Sequence, residues 1–302
     1  MRITIENEIL KAELESFGAE LKSLVSKKDS QEYMWEADPA FWGKTSPILF
    51  PFIGKLEGAA YNYNDKKYVA DKHGFARDMD YTLVSKEEDR VVFSIESNAT
   101  TLDKFPFPFV LEVEYRLEGA SLMEQWRVHN KGNETMYFSM GGHPAFACPL
   151  KVNGVRDGRR TDCFVKLYGV NEGQNVLSTE MNVEKGLLTG EAFPVELDKT
   201  GSFAVAEHIF DKDALIFEKQ GVTKVALVDK EGAEYVRVEG ESCPVWGVWS
   251  MPTSDASYVC IEPWWGICDS EGYDGNLQDR PYTNSVEPGK IWQEGYKISV
   301  NV

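Results

Sequence analysis

The chain is 302 residues long, carries a formal net charge of −17 and is 42% hydrophobic and 12% aromatic. That charge repels nucleic-acid backbones and anionic membrane surfaces across a Debye length, and no apolar run approaches the roughly 18 residues that span a bilayer, so neither a nucleic acid nor a membrane is expected as a partner. The five cysteines, Cys148, Cys163, Cys243, Cys260 and Cys268, form no CxxC pair, which speaks against a disulfide framework or zinc ribbon; with no basic, then apolar leader after Met1, a cytoplasmic protein is expected.

From the N-terminus, Ile3 and Ile5, then Leu10, Ala12 and Leu14, alternate with polar residues on either side of Glu6-Asn7-Glu8. This is the period-two pattern of an antiparallel hairpin. Residues 17–21 begin another strand, and residues 31–35 a further one. Asp38-Pro39-Ala40-Phe41-Trp42 predicts a short helical turn, with Asp38 as N-cap and Pro39 at the first helical position. Residues 46–55 are apolar but broken by Pro47 and Pro51, which cannot sit inside a central strand. They read as an irregular buried wall ending in Gly54-Lys55, and residues 61–68 as a hairpin turning at Asn64-Asp65. Next comes Lys72-His73-Gly74-Phe75-Ala76-Arg77, a histidine beside a glycine with an arginine four residues on.

The middle of the chain has the clearest strands. Val91, Phe93 and Ile95 alternate with Val92, Ser94 and Glu96, and Phe109, Leu111, Val113, Tyr115 and Leu117 with Val110, Glu112, Glu114 and Arg116. Turns at residues 118–121 and 131–133 continue an antiparallel meander into Ser139-Met140-Gly141-Gly142-His143-Pro144. Adjacent glycines allow close backbone approach or a positive φ, and Pro144 biases His143 toward an extended backbone. The imidazole is thus expected on a stiff mount. Taken alone, His143 and His73 are as readily structural histidines, and Lys55 a solvated lysine; His129 and His208 receive no role.

Residues 151–202 are more polar and less periodic, with a loop expected at 157–160 and a strand at 164–167. Asp211 and Asp213 precede the apolar run 214–217, ordinarily a turn. Residues 225–238 form a hairpin around Lys230-Glu231-Gly232, and residues 245–250 and 258–266 are aromatic-rich. Glu262 ends an apolar run beside Pro263, Trp264 and Trp265, where partial desolvation should raise its pKa toward the range of a general base. Trp292, Glu294, Tyr296, Ile298 and Val300 share one face of a last strand. With no repeat or linker, residues 1–302 read as a single all-β domain, a large antiparallel β-sandwich.

Tryptophans in such a sandwich, with histidine, arginine and carboxylates among them, suit a sugar: ring faces stack on C–H patches while polar groups read hydroxyls. Trp246 and Trp264 are the stacking candidates. A histidine and a carboxylate together can supply an acid and a base. No HExxH, GxSxG or Gly-rich phosphate loop offers competing chemistry.

Gly54-Lys55, His73-Gly74-Phe75-Ala76-Arg77, Gly142-His143-Pro144-Ala145-Phe146, Asp213-Ala214-Leu215-Ile216-Phe217 and Ile261-Glu262-Pro263-Trp264 occur in the order found in the aldose 1-epimerase (galactose mutarotase) family, and the chain resembles its LacX-like bacterial branch over nearly its whole length. The resemblance implies the family's β-supersandwich and the interconversion of α and β anomers of a free aldohexose. It implies His143 as general acid, Glu262 as general base, and His73, Arg77 and Asp213 as holders of sugar hydroxyls, with no cofactor or metal. Where the family commonly has an arginine after glycine this chain has Lys55, which is expected to bind the substrate there and keeps the charge without the planar fork. Two other readings stay open: a hexose-6-phosphate 1-epimerase, with Lys55, Lys72 and Arg77 as the cations, or a non-catalytic carbohydrate-binding protein. The partner expected is a monosaccharide, and the protein a monomer or homodimer.

Overall fold

The structure, a computed structural model, describes residues 1–152, 154–156, 158–170, 175–252 and 256–301. Among them the strands form two large antiparallel sheets, with smaller ones at the edges. The first large sheet runs, edge to edge, Ser202–Ala204, Phe164–Tyr168, Lys224–Val228, Glu234–Glu239, Ile291–Val300, Ser121–Asn130, Phe109–Glu118, Arg90–Glu96 and Thr82–Lys86. The second runs Leu187–Val195, Val176–Asn182, Leu215–Glu218, Val245–Trp249, Tyr258–Trp265, Met140–Gly142 and Ile48–Leu49, and Ala145–Ala147 also pairs with Tyr258–Trp265. Arg2–Glu6, Leu10–Glu15 and Glu20–Ser26 make a three-stranded sheet of their own.

The two large sheets share one core. Leu122, Trp126 and Val128 from the first and Val259, Ile261 and Trp265 from the second are buried in a single apolar cluster. Trp126 and Trp265 meet edge to face across it, with ring centroids 5.6 Å apart, the geometry aromatic quadrupoles prefer. The expected antiparallel β-sandwich is therefore the fold. The hairpin at residues 60–69 turns through Asn64 and Asp65, both at positive φ, as a tight hairpin demands. The wall at residues 46–55 contributes only the two-residue strand Ile48–Leu49 and is otherwise irregular, as its prolines require.

Three expectations need correction. Residues 31–35 make isolated bridges, Glu32 to Val25 and Met34 to Phe146, rather than a strand; the Glu32 side chain turns back onto the Leu24 and Met34 amides in place of a ladder. In residues 17–21 the strand starts only at Glu20, after Gly18 and Ala19 at positive φ. A short helix, Ala99–Lys104, was not expected; Asn98 caps it by accepting from the amides of Thr100 and Thr101, and Thr101 Oγ1 accepts from the Asn98 amide in return. In the loop expected at 157–160, Asp157 lies outside the described residues, and Arg160 begins a 3₁₀ turn, Arg160–Asp162. The polar stretch that followed holds the antiparallel pair Val176–Asn182 and Leu187–Val195, whose connection reaches the cavity described next.

Candidate active site

A cavity of about 250 Å³ opens on the face of the second sheet that points away from the shared core. Strand parity decides what lines it. Along Tyr258–Trp265, Val259, Ile261 and Trp265 enter the core, so Glu262 and Trp264 point the other way, into the cavity. The neighbouring strand Val245–Trp249 pairs Gly247 with Glu262 and Trp249 with Cys260, which brings Trp249 to the cavity. The same register sends Trp246 to the opposite face. It is buried in the core and its Nε1 donates to the Val222 carbonyl at 2.9 Å, so Trp246, a stacking candidate from the sequence, lies outside the cavity, whereas Trp264 lines it.

His143 leaves the strand Met140–Gly142 with its amide donating to the Pro47 carbonyl at 3.1 Å. Its Nε2 lies 3.2 Å from Glu262 Oε1. Trp42 stacks on the imidazole at 4.7 Å between centroids and 27° between planes, and Trp249 meets it edge-on at 5.9 Å. Trp42 arrives there because the predicted turn forms: the amides of Phe41 and Trp42 donate to the Asp38 carbonyl, and that of Ala40 to its side chain.

Burial governs the charges. Glu262 is 1% exposed, and desolvation raises its pKa well above the usual carboxylate range; a hydrogen bond from Trp264 Nε1 opposes this, nearby Asp213 adds to it, and Lys72 opposes it. His143 is pushed down to about 3, again mainly by burial, against its own backbone and with Arg77 and Lys72 repelling the charged form. Burial thus disfavours both charged forms, the Glu262 carboxylate and the His143 imidazolium alike.

His73 is mounted on a second rigid piece. Its amide donates to the Gly54 carbonyl at 2.8 Å, and its Nδ1 accepts from the Gly54 amide at 3.1 Å. Accepting at Nδ1 leaves the proton of the neutral ring on Nε2. Burial, then the neighbouring His143, Arg77 and Lys72, lower its pKa well below the ordinary value, so His73 presents a neutral N–H. Gly74 allows the close turn: it has φ +70°, and a Cβ there would fall 2.1 Å from the Phe50 carbonyl oxygen. Arg77 sits on the 3₁₀ turn Ala76–Asp78, with Nη2 donating to the Lys72 carbonyl at 2.9 Å. Asp213, at φ +69°, reaches the opposite side of the cavity and accepts from the Ala214 amide at 2.8 Å.

The structure thus brings His143, Glu262, His73, Arg77, Asp213 and Trp264 around one cavity. Lys55 is not among its lining residues. The Lys55 carbonyl accepts from the Asp269 amide, and its side chain runs along Gly186, while Lys72 supplies a cation to the wall. Trp42, Trp249 and Met181 line the cavity without having been singled out in the sequence. Of these only Trp249 left a readable signal, a tryptophan three residues from Trp246 and so on the opposite face of the same strand.

His143, Cys260 and Glu262 place ligand-type atoms within 4.8 Å of one another and are the residues that could hold a cation here. Burial keeps the Cys260 thiol well above its ordinary pKa, and Lys72 and Arg77 already contribute positive charge. An uncharged donor set beside two cations suits proton transfer better than metal binding. The other cysteines are buried and free as well.

The family model described as aldose 1-epimerase matches residues 1–299. The LacX proteins of Lactococcus lactis subsp. lactis, plasmid and chromosomal, are 30% and 31% identical over 99% of this chain and 99% of their own. A galactose mutarotase related enzyme from Lactobacillus acidophilus superposes with a TM-score of 0.90 at 32% identity, covering 100% of this chain and 98% of that one. A galactose mutarotase-like protein from Lactobacillus casei does so with a TM-score of 0.90 at 29% identity over 100% of both.

Proposed function

The chain belongs to the aldose 1-epimerase family of isomerases, and on that premise we propose how its cavity interconverts the α and β anomers of a free aldohexose. The observation that carries the scheme is the 3.2 Å contact between His143 Nε2 and Glu262 Oε1 inside a buried cavity. In a pyranose the ring oxygen and the C1 hydroxyl are bonded to the same carbon. An acid for one and a base for the other must therefore be close neighbours, as these two groups are.

Burial by itself disfavours both the Glu262 carboxylate and the His143 imidazolium. A sugar changes that balance, because its C1 hydroxyl donates to the carboxylate and its ring oxygen accepts from the imidazolium, so both charged forms are favoured. The Trp42 face stacked on His143 favours the imidazolium further. Glu262 then takes the proton of the C1 hydroxyl while His143 gives its proton to the ring oxygen. The C1–O5 bond breaks, and an aldehyde and a free C5 hydroxyl result. Rotation about C1–C2 turns the other carbonyl face toward O5. Reclosure returns one proton to His143 and the other to the new C1 hydroxyl, and the pair is restored. No metal or cofactor enters these steps.

His73 Nε2–H, Arg77 and Asp213 hold the remaining hydroxyls, with Lys72 in the position expected of Lys55, and Trp264 bounds the ring. Lys72 and Arg77 also favour a second reading, a hexose 6-phosphate as substrate, since both could pair with the phosphate. The reading extends to a cytoplasmic protein of one domain over residues 1–302, monomeric or homodimeric, acting on a monosaccharide and on neither nucleic acid nor membrane; the net charge of −17 supports it, and no helix among the described residues is long and apolar enough to cross a membrane.

Polarimetry of freshly dissolved α-D-glucose and α-D-galactose, with NMR exchange on the 6-phosphates, tests the scheme. Acceleration with a free hexose that disappears in Glu262→Gln is the expected result. Acceleration with the phosphates alone moves the protein to the second reading, and sugar binding without any acceleration rejects both.

A further inference from the structure

Behind the His143 mount, on the inner face of the first sheet, lies a buried polar pair that the scheme above does not use. Glu124 and Tyr296 are each 1% exposed. They sit opposite one another on the paired strands Ser121–Asn130 and Ile291–Val300. The Tyr296 hydroxyl donates to Glu124 Oε2 at 2.5 Å, and Trp126 Nε1 donates to Glu124 Oε1 at 2.9 Å. Both carboxyl oxygens are thus engaged, and the phenol is fixed in direction as well as place.

The fixed ring touches the other sheet at one informative position. A Cβ built on Gly142 would lie 2.7 Å from Tyr296 Cε1 and 2.9 Å from its Cζ and hydroxyl oxygen. The phenol therefore packs on the bare Cα of Gly142, the residue immediately before His143. The backbone of Gly142 is also held within its sheet by pairing with Ile48, and the His143 amide by the Pro47 carbonyl. A carboxyl in an apolar core is costly unless it is satisfied, and apolar residues would fill this volume at no such cost. What the pair adds is a ring that cannot slide, set against the peptide that aims the imidazole at Glu262.

We propose that Glu124 and Tyr296 are positioning residues for the reaction, holding the phenol ring against Gly142 so that the His143 ring keeps its register with Glu262. The inference rests on the roles given above to His143 and Glu262. It explains why the glycine pair of the motif needs no side chain at its second position: the requirement is close approach by a ring.

The test uses Tyr296→Phe, which keeps the ring and removes its tether, and Glu124→Gln, which keeps the volume. Burial pushes Glu124 up to about 7, so the neutral amide resembles one of its ordinary states and the variant should fold. Each is expected to lower kcat about tenfold by misplacing the acid, with KM within about twofold of wild type. The double variant should be no worse than the more damaged single one, because both act through one contact. The His143 ring resonance, assigned by its loss in His143→Asn, should shift in both variants, while that of exposed His208 stays fixed. An unchanged kcat in Tyr296→Phe, losses that appear in KM alone, or an unmoved His143 resonance would each overturn the proposal. Failure of the catalytic scheme itself is distinguishable, since then wild type would turn over no sugar, whereas the His143 resonance would still report on the contact.

Discussion

Glu114 and Glu262 are the same side chain on strands of the two stacked sheets, and their surroundings drive them in opposite directions. Glu114 faces outward from the first sheet and accepts from Arg90 Nε at 2.7 Å, Arg90 Nη2 at 3.0 Å and Arg127 Nη2 at 2.8 Å. The Arg90 hydrogen bonds, against some desolvation and helped by Arg127, pull its pKa down to about 2. Glu262 also faces away from the shared core, but there it lies in a cavity walled by Trp42, Met181, Gly186 and Trp249, and the nearest partners are a neutral imidazole and an indole. Desolvation there outweighs the Trp264 hydrogen bond and Lys72, and its pKa rises. A bare outer face becomes an ion-pair mesh that keeps the sheet soluble, and a covered one becomes a place where protons can be moved.

The largest effect that would sharpen this contrast is on turnover. Glu262→Gln and His143→Asn are each expected to lower kcat by about 10² to 10⁴, the usual worth of a positioned base or acid, while Glu114→Gln leaves it unchanged. In wild type, kcat against pH should hold a plateau while the pair carries one proton. It should fall toward pH 3, where His143 accepts a second, and fall on the alkaline side above the raised Glu262 value, where the last is lost. Activity that did not fall toward pH 3 would mean that the pair is not the proton carrier.

Trp42→Leu comes next. Removing the stacked face should lower kcat by about tenfold, within the range of a partly desolvated cation–π contact, and KM should move less. Equal loss in both would mark Trp42 as a sugar contact instead.

On the outer mesh the expected change is in stability. A carboxyl whose folded pKa lies below its ordinary 4.5 stabilises the fold fully above that value and loses the contribution as pH falls through about 2. Since the Arg90 and Arg127 partners are partly open to solvent, we discount the shift and expect Glu114→Gln to cost about 1–2 kcal/mol at pH 7. Urea unfolding at pH 7 and at pH 2.5 would show the two proteins converging at the lower pH.

The last effect has the opposite sign. Glu262, with its folded pKa raised, stabilises fully below 4.5 and loses that contribution as pH rises through the folded value. Glu262→Gln should therefore unfold at higher urea than wild type at pH 9 and at the same urea at pH 4, the stability that an active-site group gives up for function. A lower midpoint at pH 9 would mean that Glu262 is held by partners as Glu114 is.

Local patterns in the sequence were enough to determine much of this. Alternation marked the strands of the first sheet because one of its faces is wet, as at Leu122, Trp126 and Val128 against Met123, Gln125 and Arg127. Pro47 and Pro51 marked the irregular wall, and Gly74 and Pro144 the stiff mounts of His73 and His143. A raised Glu262 pKa was expected from its apolar neighbours in the chain, although it is tertiary burial that raises it and Trp264 Nε1 that opposes the rise. Tertiary structure alone decided parity in the second sheet. Tyr258–Trp265 is buried on both faces, so its apolar run carries no alternation, and nothing local told Trp246, which enters the core, from Trp249, which enters the cavity. Lys55, expected at the substrate, lies outside the lining for the same reason, since the direction of a lysine beside a turn depends on what packs on it, here Gly186 from a distant hairpin. Trp42 against His143, Met181 over the cavity and Tyr296 against Gly142 join segments about 100, 40 to 120 and 150 residues apart in the sequence. No local pattern encodes such contacts; they exist because two sheets of a particular register stack and bring those segments together.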